Sequence, residues 1–294
     1  MRNIRFIPFG MDKDDIRKIL QKKIKLIANL GATISKGFDG DNIHKFRVEV
    51  KRLRSFLRLL STNKKKEIKL PKTFKHLYDV AGIIREIQLE EQKIRELKLH
   101  LPSYSMHLVS QMQYQKSIWL QDYKARVVNS LYKRIDAHKF NKIGPEVLLQ
   151  FMRDHFDTIV QLNKIAATDN DIHSIRKQAK DVLYNIKFTE LEWKDGYKHI
   201  KHLPLNELDK LSDSLGDYND TRIRLEHFES YHPNHLLKEE KNTLVSLRKE
   251  ERKLLQSRKK QIVRSVKKFT KDVLRADTLK KTVPENGDSV ICKP

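Results

Sequence analysis

The chain has a single cysteine in 294 residues, Cys292, so it can build neither a disulfide framework nor a thiolate metal site of its own. Glycine (9) and proline (8) are scarce, which argues against many short strands joined by tight turns. No stretch approaches the roughly 18 apolar residues of a membrane span, and the opening MRNIRFIPFG lacks an apolar signal core. The expected setting is therefore reducing and cytoplasmic. Catalytic signatures are missing as well: there is no G-x-x-x-x-G-K-[ST] phosphate loop, no G-x-S-x-G elbow, no H-E-x-x-H, and no acidic cluster suited to holding Mg²⁺. The expectation is binding without turnover, with no cofactor and no metal.

Negative charge is also in short supply. Lys and Arg number 61 against 38 Asp and Glu, a formal charge of +23, while 38% hydrophobic content still permits a globular interior. Such a surplus repels itself in a compact state and seeks an anionic partner. On charge alone the candidates are inorganic polyphosphate, nucleic acid and an anionic membrane surface.

Apolar residues recur at intervals of three and four, which predicts an all-α fold. A first helix is expected from about Asp12 to Thr33, with Ile16, Ile19, Leu20, Ile24 and Ile27 on one stripe, broken by Gly37-Phe38-Asp39-Gly40. A second runs from Asp41 or Asn42 to about Ser61, a third from Pro71 to Leu99, and a fourth from Pro102 to Ala137. Gly144-Pro145 restarts the order: a helix to Ile165, one from Asp169 or Asp171, one from Pro204, and one after Pro233. The expected domain spans 12–275, with halves of about 12–140 and 141–275, and residues 276–294 read as a disordered tail.

Two segments 129 residues apart share one pattern, H-x-x-R-x-x-x-K: His44, Arg47 and Lys51, then His173, Arg176 and Lys180. Offsets of 0, 3 and 7 put these side chains on one helical face, and the register continues through Arg54 and Arg58 in the first copy and Lys187 in the second. Lys177 adds to the second strip. The apolar residues lie about 120° away: Phe46, Val50, Leu53, Leu57 and Leu60 in one helix, Ile175, Ala179, Val182 and Ile186 in the other. The third helices of the two halves also match, each with an interior glycine, Gly82 or Gly216, for which close approach of another backbone is a plausible reason.

At these two motifs and two glycine segments the chain resembles the CHAD family, named for its histidine-bearing α-helical domains. The resemblance covers about Asp12 to Arg275. It implies two four-helix bundles related by pseudo-twofold symmetry around a central basic cleft or pore that binds inorganic polyphosphate. Lys51 stands where the first motif often has arginine, keeping the charge, and Leu183 replaces an arginine that commonly precedes the second motif's tyrosine, losing it. Storage in cytoplasmic polyphosphate granules, scaffolding and regulation are all compatible roles.

Arginine engages two phosphate oxygens at once, and lysine adds a mobile point charge. His44 and His173 suit hydrogen bonding to phosphate better than metal binding, since cations three and seven residues away would repel a metal ion. The last helix, from about His235 to Arg275, carries 14 Lys or Arg against 5 Asp or Glu, a net +9, and its Arg252 and Arg264 are candidates for extending the anion path. A nonspecific nucleic-acid binder is the alternative, and nucleic acid is expected to be the weaker competitor because the motif helices lack the interleaved aromatics of a base-stacking platform. Asp217, Asp220 and Glu86 are expected to form interhelical salt bridges.

Overall fold

The computed structural model describes residues 10–62, 64, 67–164, 168–201, 203–232 and 236–281. Ten helices account for nearly all of them: α1 (Lys13–Gly37), α2 (Gly40–Leu59), α3 (Lys72–Glu96), α4 (Pro102–Asp122), α5 (Ala125–Asp136), α6 (Pro145–Lys164), α7 (Asp169–Glu192), α8 (Lys194–Ile200), α9 (Leu205–Ser230) and α10 (Lys238–Lys281). The fold is all-α, with one isolated pairing, Met11 with Ile143, tying the start of the described chain to the entrance of its second half.

Short polar side chains set the helix starts. Asp12 accepts the backbone N–H groups of Asp14 (2.8 Å) and Asp15 (2.9 Å), Asp39 accepts that of Asn42 (2.9 Å), and Thr168 with Asp171 forms a reciprocal cap at the head of α7. At the break between α1 and α2 the left-handed residue is Phe38 (φ 53°), while Gly37 stays helical. Phe38 tolerates this because its carbonyl is held by Gln88 Nε2 at 2.8 Å.

Two boundaries differ from expectation. The fourth helix of the first half is split at Tyr123 and Lys124, because the Tyr123 ring packs against Gly31 and stacks on Trp119 while its hydroxyl donates to Ala28 O at 2.6 Å. No local signal encodes that kink; it is set by α1. At the other end α10 stays helical through Lys281, six residues past the boundary expected at Arg275, and residues 282–294 of the expected tail lie outside the described residues.

The packing of α1 on α2 and α2 on α3 recurs as α6 on α7 and α7 on α9, and α2 packs directly on α7 at the centre. Every apolar stripe residue expected in α2 and α7 is buried. So are Ser55, Phe56, Asn185 and Phe188 on a further face of each, because the two basic helices touch along one edge. Phe56 meets Phe188 at 4.1 Å between centroids, Ser55 Oγ donates to Asp181 O (2.8 Å), and Asn185 Nδ2 donates to Ser55 Oγ (2.7 Å). A second, smaller core closes the opposite end of α3, α4, α9 and α10 around Ile87, Tyr104, Phe228, Tyr231 and Leu244. At its rim, buried Glu90 accepts from Tyr104 Oη and is paired with His227. The halves therefore join at two seams, α2·α7 and the α3–α4/α9–α10 core, with a gap between.

Candidate anion-binding cleft

A cavity of about 390 Å³ in that gap is lined from three helices. From α2 come Lys51, Arg54 and Arg58; from α7 come His173, Arg176, Lys177, Lys180, Asp181 and Tyr184; from α3 come Tyr78 and Asp79. Helical periodicity explains the convergence: positions 51, 54 and 58 fall on one side of α2, positions 173, 176, 177 and 180 on one side of α7, and the shared α2·α7 edge turns both sides toward the same space.

Six cations thus face two carboxylates. Asp181 is consumed, since Arg58 Nη1 donates to it at 2.6 Å and Arg58 Nε reaches Glu67 at 3.1 Å. No ion pair joins Lys51, Arg54, Arg176, Lys177 or Lys180 to a carboxylate among the described residues. Buried Arg176 Nε has no hydrogen-bond partner among the described residues. An anion in the cleft would offer that donor an acceptor.

Electrostatics agrees. Burial, with Arg47, Arg176 and Lys180 close by, pulls the Lys51 ammonium down to about 8. Burial and neighbouring Arg176 likewise lower Lys180, and burial with adjacent cations lowers His44 and His173 below the usual imidazole range. The Lys51, Lys180 and His173 shifts have one meaning: burial and like charge disfavour the positive charge gathered in the cleft.

Arg47 stands at the edge of the cleft. Its guanidinium lies 5.1 Å from the Tyr78 ring centre, approaches Tyr78 O at 3.5 Å and pairs with Glu86 at 3.9 Å. A Cβ at Gly82 would collide with it, so this glycine makes room for an arginine side chain and not for a neighbouring backbone. Gly216, its counterpart, faces open space. Arg54 also stacks on Tyr78, at 5.7 Å.

The other expected residues are more dispersed. His44 is exposed one turn before Arg47, beside Arg85, and does not line the cavity. Lys187 is exposed farther along α7, and Leu183 is buried. Arg252 pairs with Glu229 on the outer side of α9, and Arg264 points outward from α10; neither lines the cleft. Other α10 arginines serve the fold: Arg248 donates to Phe228 O and Tyr231 O, and Arg258 to Asp217 O and Thr221. Of the three acids expected to form salt bridges, Glu86 has one; Asp217 contributes its backbone carbonyl. Tyr78, Asp79 and Arg85 carry no local signal of which α3 face meets α2, and nothing in α7 alone shows that Asp181 meets Arg58.

No helix among the described residues is long and apolar enough to cross a membrane, and no group of three or more His, Cys, Asp or Glu among them is placed to hold a metal ion.

Duplicated helical bundles flanking a basic cleft define an all-α architecture. The CHAD domain family model matches residues 18–229, and the chain belongs to that family. Its structure is similar to the crystal structure of the CHAD domain from the plant Ricinus communis, with a TM-score of 0.62 at 14% identity over 87% of this chain and 90% of that one. A comparison with curated protein sequences returns no match.

Proposed function

We propose that this protein binds inorganic polyphosphate in the cleft between α2 and α7, without turning it over. The observation that carries the reading is the set of five cations converging there with no carboxylate partner, one of them with an orphaned buried donor. Cations that repel one another in a half-buried site are stabilised by a ligand of dense, repeating negative charge and little bulk. A linear phosphate polymer has that character, and each added contact within reach of a second one is gained at high effective concentration.

Single-stranded nucleic acid offers the same phosphates with a base and sugar on each. Tyr78, the ring most closely surrounded by the basic residues, already carries Arg47 and Arg54 on its π-face, which leaves it poorly placed to stack a base. Nucleic acid is therefore the weaker competitor in this reading, and the site is one of cytoplasmic polyphosphate capture, at granules or elsewhere.

The test is a competition between long polyphosphate and RNA of matched charge, on the wild-type chain and on Arg176→Gln with Lys180→Gln. Charge-assisted hydrogen bonds contribute about 1.5–3 kcal/mol each, so the double variant should lose at least about 100-fold in polyphosphate affinity with its circular dichroism unchanged. Retained affinity would remove the cleft from the mechanism. RNA displacing polyphosphate at equal charge would favour the nucleic-acid reading instead.

A further inference from the structure

The cleft uses few of the chain's surplus cations, and the largest remaining alignment is on α10. Lys249, Lys253, Lys260, Arg264, Lys267 and Lys271 are all exposed. At about 100° per residue they fall within about 40° of one line, and at 1.5 Å per residue that line runs about 33 Å. Between Glu251 and Asp272 α10 carries no carboxylate, and none of the six is ion-paired among the described residues.

The inward cations of the same helix behave differently. Arg248 and Arg258 hold backbone carbonyls of α9, and Lys259 Nζ pairs with Asp169 at 2.6 Å. Satisfied cations inside and unsatisfied ones outside is a sorted arrangement. The outer spacing, four, three and four residues from Lys260 to Lys271, is also the one at which like charges repel along a helix. An ordinary solvated face would intersperse carboxylates at those positions.

The inward side of α10 meets the head of α7, at the mouth of the cleft. Asp169, which Lys259 grips, opens α7 one turn before His173, and Arg222 of α9 is near enough to His173 to depress its protonation. Arg176, His173 and Arg222, the last paired with Glu226, thus lead from the cleft to the Lys259–Asp169 pair, and the next residue of α10, Lys260, belongs to the outward line.

We propose that the outward face of α10 is a second polyanion track, along which a phosphate polymer too long for the cleft continues over the molecule. The proposal rests on the reading of the cleft as a polyphosphate site and adds the part of the chain that would confer length preference. The cleft alone serves short chains; cleft and track together serve long ones.

The experiment uses the full chain carrying Lys253→Gln, Lys260→Gln, Lys267→Gln and Lys271→Gln; glutamine matches lysine closely in helix propensity, so α10 should persist. Tripolyphosphate, long polyphosphate and phosphatidylserine vesicles are titrated at several salt concentrations. Long-chain affinity should fall at least tenfold, and its log–log salt slope should shrink by about 3, from roughly 0.7 per lost phosphate contact on a single strand. Tripolyphosphate affinity should stay within about twofold. Unchanged long-chain binding, an equal fall for both phosphates, or loss of vesicle binding alone would overturn the track. Failure of the cleft itself is recognised separately, as tripolyphosphate binding that survives Arg176→Gln with Lys180→Gln.

Discussion

Replacing Lys51 by methionine isolates the most perturbed cation in the cleft while keeping its length and packing. With the ammonium titrating at about 8 in the free protein, about nine-tenths of Lys51 is charged at pH 7 and about one-tenth at pH 9. A bound polyanion favours the charged form and raises that value, so ligand binding above pH 8 must take up a proton. At pH 8.5 roughly three-quarters of the free sites are neutral, which sets the uptake near 0.8 proton per site. Affinity should then fall about tenfold between pH 7 and pH 9. The sign for folding is opposite. A lysine depressed below its unfolded value of 10.5 leaves the unfolded chain binding more protons between about pH 8 and 10.5, so this residue's contribution to stability improves as pH rises through that window. Isothermal titration calorimetry at pH 8.5 in two buffers of different ionisation enthalpy counts the protons, and thermal melts track the stability. Lys51→Met should abolish the uptake, flatten the pH profile and melt higher than wild type at pH 7. Proton uptake that persists in the variant, or a wild-type affinity flat from pH 7 to 9, would refute the assignment of Lys51 as a charge disfavoured by burial and its neighbouring cations.

Below pH 6.5 affinity should rise again as His44 and His173, both depressed by burial and neighbouring cations, become protonated; a His173→Gln variant measured from pH 5 to 7 should lose part of that rise. Gly82→Ala should displace Arg47 from α3 and weaken polyphosphate binding about tenfold, while its effect on the melting temperature stays small, because alanine favours the helix by about 0.5–1 kcal/mol. Glu90→Ala removes the buried partner of Tyr104 and His227 and should destabilise the fold by about 3 kcal/mol by denaturant titration. In the wild-type chain the Glu90 hydrogen bond raises His227, so that pair's contribution is complete below the ordinary imidazole value and is lost as pH rises above it.

The helices were legible in the sequence because their signals are local: Asp12, Asp39 and Thr168 each cap within three residues, and the stripes of α1, α2 and α7 repeat at helical spacing. The cations on α2 and α7 were legible for the same reason. What depended on distant partners was not. Arg58 looks like its neighbours in the sequence, yet Asp181, 123 positions later, occupies it. Arg252 carries the same charge as a cleft arginine, and only the fold reveals Glu229 beside it. Arg52, in the middle of the basic segment, turns the other way to meet Glu49. The kink at Tyr123 and the berth under Arg47 are likewise contacts between helices, invisible to any local window.

Gly82 and Gly216 occupy matching places in the two halves but do different things, and the difference makes the cleft's two jaws unlike. On the α2 side Arg47 is laid down in advance against Gly82 and Tyr78, so little freedom remains to be lost when an anion arrives. On the α7 side Gly216 gives Arg176 no such rest. For the repeating polymer proposed as ligand, which offers no unique phosphate to recognise, jaws so unlike would relax the demand that its repeat match the cleft's own.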